Sequence, residues 1–175
     1  MEKRIGFGLR LGAFLIDYVI AGILASILSI LFAGLFATIG AGVGSASGTE
    51  YGAAAGGVVG FFAGIAMGFA IAVPLYFLME AFLGYTLGKL ILGIKIAKED
   101  GTQGDIKDFF LRYAIKNSGM ILSLLGMLTL GFFATLGWIA SLAIFVGCFF
   151  VLADKKQAFH DMLSKTAVFK KEDIV

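Results

Sequence analysis

Long apolar runs separated by three charged stretches set the pattern of this chain. The first run, residues 10–37, reads RLGAFLIDYVIAGILASILSILFAGLFA and holds Asp17 inside it. It predicts a spanning helix over about 11–38, because about 20 apolar residues cross a hydrocarbon layer of about 30 Å. Residues 40–51, GAGVGSASGTEY, are small and polar with one acid, Glu50, and read as a loop. A second span follows over 53–82 and contains the only proline, Pro74, which removes one backbone hydrogen bond and favours a kink.

Residues 85–116 are charged. Within them LGKLILGIKIAK ends in rough alternation, Glu99-Asp100-Gly101 reads as a turn, and Asp105 as the N-cap of a helix over 106–117. Ile106, Phe109, Phe110 and Tyr113 form its apolar stripe, with Lys107, Asp108, Arg112 and Lys116 on the polar side. Such a helix lies at the membrane surface or extends the next span into the cytoplasm. Residues 119–153 then run without a charge. As one helix they would measure about 52 Å, too long for the hydrocarbon layer.

Composition settles the class. Hydrophobic residues make up 59% of the chain and charged residues 15%, with a mean hydropathy of +0.97; a soluble domain is nearer half apolar and a quarter charged. The opening MEKR resembles a signal peptide, but the run after it is far longer than an h-region and contains Asp17, so it reads as a retained span. All 14 Lys and Arg fall in three stretches, 3–10, 89–116 and 155–171. The positive-inside rule puts these on the cytoplasmic face, so the 119–153 run must enter and return. The expectation is an all-α integral membrane protein of the inner membrane: one domain over 1–175, with four spans and both termini cytoplasmic. The last two spans, 117–131 and 137–153, form a short hairpin turning near Gly131–Gly137, with Trp138 at the outer interface. Residues 85–116 form the cytoplasmic loop and 154–175 the cytoplasmic tail. Each half of the hairpin is short, which suits a re-entrant or tilted segment.

Small residues suggest how the helices meet. Glycines recur every fourth position from 40 to 68, including Gly52, Gly56, Gly60, Gly64 and Gly68. The first span carries a matching row: Ala13, Asp17, Ala21, Ala25, Ser29, Ala33 and Ala37. Small-xxx-small ridges let two backbones approach closely, here in an antiparallel crossing. A four-residue row turns about 40° per step on a straight helix, which limits contact to two or three steps. The same ridge could instead join copies of the chain, or dock on another membrane protein. The glycine row continues through Ala72 and Tyr76 to Glu80, at the end where Arg10 and Asp17 also lie.

A carboxylate in hydrocarbon is unfavourable by about 2.5–3.5 kcal/mol on insertion scales, which makes Asp17 a functional candidate. It would be buried against protein, with Glu80 as a companion, Arg10 neutralising the pair, and Tyr76 and Ser29 supplying oxygens. The lone Cys148 excludes an internal disulfide and reads as packing. His160 and Asp161 have no ligand partners at metal spacing, and His160 reads as a pH-responsive anchor of the tail. No phosphate loop or nucleophile elbow is present, so the chain reads as a non-enzyme without cofactor, metal or nucleic-acid partner.

Arg10 and Asp17, Glu80, GYTLGKLILGIKIAKEDG over 84–101, Arg112, and QAFHDMLSKTAV over 157–168 together resemble the RDD family of small bacterial membrane proteins. That family is named for an arginine and two aspartates, here Arg10, Asp17 and Asp161. The resemblance also marks Thr86, Lys89, Arg112 and His160 as a cytoplasmic-face motif. It implies transport of an unidentified ligand; some members are associated with sodium/proton antiport, and others look like accessory parts of membrane complexes. Two readings follow. In one, Asp17 exchanges a monovalent cation for a proton, along a path at an oligomer interface. In the other, the chain is an adaptor or assembly factor docking through its glycine ridge. A pore built on that ridge would lack a charged selectivity ring.

Overall fold

A computed structural model describes residues 3–128 and 131–175. The chain divides into two compact units: Tyr18–Phe77, and the chain up to Asp17 together with Leu78–Val175.

The unit Tyr18–Phe77 holds the greater part of two long helices, α1 (Phe7–Ser45) and α2 (Gly52–Leu83). With no water in hydrocarbon to satisfy backbone groups, a glycine-rich apolar run stays helical there. α1 accordingly runs through Gly40 and Gly44 to Ser45, and the loop expected over 40–51 shrinks to the turn after Ser45. That turn is closed by Gly48 at a φ of +67° and by the Ser47 hydroxyl donating to Gly44 O at 2.7 Å. The two small-residue rows meet in antiparallel register. A β-carbon on Gly56 would strike the Gly40 carbonyl, one on Gly52 that of Gly44, one on Gly60 that of Phe36, and one on Gly64 that of Phe32. The Ser29 hydroxyl donates to Ile65 O across the seam at 3.0 Å. Contact thus runs far beyond two or three steps, which requires the helices to wrap about one another. Ala21, Ala25, Ser29 and Ala33 are buried, whereas Ile30, Leu31, Val59 and Phe62 are 64–72% exposed, as lipid-facing side chains should be.

The second unit holds every charged residue among those described except Glu50. β1 (Ile94–Lys98) pairs antiparallel with β2 (Thr166–Lys170), Ile96 opposite Val168. The N-terminal arm joins them through an Arg4–Phe169 bridge and Ile5 N donating to Val168 O at 2.8 Å. The short helix α3 (Leu87–Ile91) precedes β1, and between the strands in the chain come the helices α4 (Ile106–Lys116), α5 (Ser118–Leu128) and α6 (Phe132–Cys148), a 3-10 turn Phe149–Leu152, and α7 (Phe159–Leu163). Ile5, Ala13, Ile94, Ile96, Phe109 and Val168 make the small core. Asp105 caps α4, accepting from Lys107 N at 2.8 Å and Asp108 N at 3.2 Å, while Asp108 accepts back from Asp105 N at 3.1 Å. The N-terminal arm, the loop after α2 and the tail are therefore one structure, and the three basic stretches all fall within this unit.

Among the described residues, three helical segments are long and apolar enough to cross a membrane, Phe7–Ser45, Gly52–Leu83 and Phe132–Leu152. The span expected over 117–131 is not among them. At 11 residues, α5 measures about 16 Å, half a hydrocarbon layer. It packs antiparallel on α6, with Gly119 facing Gly137 and Ser141, and Gly126 facing Ala134. Of the turn expected near Gly131–Gly137, Gly131 is the N-cap of α6 and Gly137 lies within that helix.

Candidate functional site

An ionised side chain leaves water only where opposite charges and hydrogen bonds replace its hydration. The second unit buries Asp17, Glu80, Lys89, Arg112, His160 and Asp161. Their positions follow from local structure. On α4, Phe109, Arg112 and Tyr113 face inward and Ile106 and Phe110 outward, so the expected stripe of Ile106, Phe109, Phe110 and Tyr113 is split between the two faces. Lys116 stands one turn beyond Arg112 on the same side. Glu80 comes from the last turn of α2, Lys89 from α3, and Asp161 with His160 from α7.

Arg112 is the hub. Its Nε donates to Asp161 Oδ1 at 2.7 Å, its Nη1 pairs with Glu80 Oε1, and its Nη2 lies 3.0 Å from His160 Nε2. A guanidinium only donates, so His160 Nε2 accepts and the ring hydrogen is assigned to Nδ1. That Nδ1 is buried without a hydrogen-bond partner. The second oxygen of Glu80 is shared by two ammonium groups, Lys89 Nζ at 3.1 Å and Lys116 Nζ at 3.1 Å. Asp161 Oδ2 takes Arg10 Nη1 at 2.5 Å and Ala158 N at 3.2 Å. Arg10 also donates to Ile5 O at 3.0 Å and Lys156 O at 2.8 Å. The sequence reading assigns Arg10 to Asp17; in the structure its guanidinium serves Asp161. Asp17 instead accepts from the Thr86 hydroxyl at 2.5 Å and from Gly88 N at 2.7 Å. A β-carbon on Gly88 would lie 2.8 Å from the Asp17 Cγ, so this bond requires glycine.

Formal charges do not cancel. Arg10, Lys89, Arg112 and Lys116 face Asp17, Glu80 and Asp161, one more cation than carboxylate. Burial, with the charge of Lys116 beside it, pushes Lys89 well below the usual lysine range. Burial and Arg112 lower Lys116 to about 8. His160 is pushed down to about 2 by burial and Arg112, so its imidazole is neutral. Burial would raise Asp161, but Arg112 and Arg10 outweigh it and hold the carboxyl well below its usual range.

The remaining expected residues lie elsewhere. Tyr76 belongs to the Tyr18–Phe77 unit, where it is buried with its ring edge-on to Phe77 at 5.2 Å. Gly52, Gly56, Gly60, Gly64 and Gly68, with Ala21 and Ala25, are packing residues of that unit, and Ala13 is a core residue of the other. The sequence reading missed three participants. Lys116 was signalled by its i+4 spacing from Arg112. Gly88 had no signal of its own. Arg4 had none either; it ties the tail to the loop by donating to Gln157 Oε1 at 2.8 Å, Lys155 O at 3.2 Å and Glu99 O at 2.7 Å.

No characterised protein and no solved structure matches the chain. A sequence profile of the RDD family matches residues 4–165, nearly its whole length. The chain, with its long apolar helices, therefore belongs to the RDD family of membrane-associated proteins.

Proposed function

We propose that the protein is a transporter of the inner membrane that exchanges a monovalent cation for a proton at the buried ion network, with Glu80 as the exchanging carboxylate. One observation carries this reading: Glu80 Oε2 holds two lysine ammonium groups at the same distance, 3.1 Å each, in a cluster with one cation too many. A cation that takes this oxygen displaces an ammonium group, and the displaced lysine, disfavoured as a cation by burial, gives up its proton. Return of the proton restores the pair and expels the cation. Arg112 remains charged throughout and prevents both carboxyls from being left bare.

The basic segments lie on the cytoplasmic side, where the positive-inside rule puts them, and α5 with α6 forms the returning hairpin. So few spans enclose little volume, so the path runs between copies of the chain. The adaptor reading rests on the glycine ridge, and α1 already occupies that ridge within the chain.

The test is sodium- or potassium-driven pH change in vesicles containing the purified protein. Glu80→Gln, which keeps size and hydrogen bonding, should abolish proton movement. Asp17→Asn, which keeps an acceptor for Thr86 and Gly88, should retain part of it. Undiminished exchange by folded Glu80→Gln protein rejects Glu80 as the exchange site.

A further inference from the structure

Away from the ion network, an open pocket of about 670 Å³ lies between the end of α2, β1 and the first turn of α4. Phe82, Leu83 and Tyr85 line one side, Lys95 another, and Asp105, Lys107 and Phe109 the third. Lys95 Nζ sits over the rings of Tyr85 at 5.9 Å and Phe109 at 6.0 Å, about the limit of a cation–π contact. Among the described residues it has no carboxylate partner. Lys107, also in the lining, is exposed. The one acid in the wall, Asp105, is engaged in capping α4. The pocket therefore offers two ammonium groups against one committed carboxylate, a preference for an anion.

Its rim is apolar. Phe82 is 53%, Leu83 44% and Ile106 59% exposed, and the pocket opens where a membrane-spanning helix ends. At that level a lipid headgroup meets the protein surface.

We propose that this pocket binds an anionic phospholipid, its phosphate between Lys95 and Lys107 and its acyl chains along Phe82, Leu83 and Ile106. Charge complementarity selects the phosphate, and the exposed rim selects a lipid over a free anion, which could not use it. The Phe109 ring beneath Lys95 also packs on Gly84, where a β-carbon would fall 2.5 Å from the ring. A bound lipid would therefore brace α4, the helix that carries Arg112 and Lys116.

The experiment is native mass spectrometry of the full-length protein released from micelles containing equal phosphatidylglycerol and phosphatidylcholine. The expected result is preferential retention of one phosphatidylglycerol. A lysine near a membrane surface is worth about fivefold towards anionic lipid, so Lys95→Gln and Lys107→Gln should each weaken retention about fivefold, and the double variant about 25-fold. Lys171→Gln, outside the pocket, should leave retention unchanged. Lys107 is exposed, so its variant folds even if that of Lys95 does not. Equal retention of both lipids, retention by the Lys107→Gln protein at the unaltered level, or displacement by millimolar inorganic phosphate would each overturn the proposal.

Discussion

Replacing Arg112 by methionine tests whether the ion network holds the second unit together. The side chain is 4% exposed and bonds to Glu80, Asp161 and His160. Removing one partner of a buried ion pair is unfavourable by about 3–5 kcal/mol, because the remaining charge stays buried without compensation. Here both carboxylates keep a second partner, Glu80 through Lys89 and Lys116 and Asp161 through Arg10. The expected loss is therefore at the lower end, about 3 kcal/mol, or about 150-fold in the unfolding equilibrium. Arg112→Lys should recover only part of it, since one ammonium group cannot reach a carboxylate on each side and a ring nitrogen as a planar fork does.

The assay is reversible unfolding in mixed micelles, followed by circular dichroism. A double-mutant cycle of Arg112→Met with Asp161→Asn should give a coupling energy of about 2 kcal/mol. The internal standard is Lys3→Gln, which breaks a pair at 3.2 Å whose lysine is 69% exposed; exposed pairs are worth about 0–1 kcal/mol. If Arg112→Met loses no more than Lys3→Gln, the network is not structural and the argument fails.

Two further outcomes follow from packing and proton linkage. Gly60→Leu should lower stability by about 1–3 kcal/mol because its side chain meets the Phe36 carbonyl, while Gly22→Leu, with nothing within 4 Å, should be tolerated; equal melting temperatures in detergent would refute the seam. For Lys116 the folded state loses its proton near 8 and the unfolded chain near 10.5. Between these values the unfolded state binds more protons, so stability should rise with pH from about 8 to about 10.5. His160, neutral when folded down to about 2 and protonated near 6.5 when unfolded, should likewise make stability fall as pH drops below 6.5. Thermal melts across pH check both, and Lys116→Met and His160→Gln should each flatten their own limb.

The spanning helices and the small-residue seam were legible because hydropathy and four-residue spacing are local signals. What escaped depended on surroundings. Residues Gly40–Ser45 have the composition of a loop, yet they are helical because Gly52 and Gly56 leave room for α1 to continue beside them. The all-α expectation left no place for the sheet: Ile94–Lys98 alternates only roughly, and its partner Thr166–Lys170 has four consecutive buried residues. A strand covered on both faces shows no period of two. α4 was amphipathic as expected, but its stripe is split, with Phe109 and Tyr113 buried beside Arg112 and Ile106 and Phe110 exposed. In a soluble domain the polar side of a helix faces water, but next to a bilayer Ile106 and Phe110 can face outward while Arg112 and Lys116 turn to buried carboxylates. Periodicity therefore put Arg112 on the polar side, and only the family resemblance singled it out.

Arg10, Asp17 and Asp161, the residues that the resemblance matches to the family's name, do not form one site. Arg10 and Asp161 are joined to each other, fastening α7 and the tail to the start of α1. Asp17 holds a different element, the Thr86–Gly88 turn that begins α3. Both are joints, each donor and acceptor satisfied, and both place a lysine or an arginine against Glu80: Lys89 stands one residue beyond the anchored Gly88, and Arg112 bridges Asp161 to Glu80. The surplus charge resides on that last carboxylate and its lysines, which the family's name leaves out. A joint must be fully satisfied to hold, whereas an exchanging site must tolerate a change of partner. Glu80, with two equivalent ammonium groups on one oxygen, is the member of the network that meets the second condition.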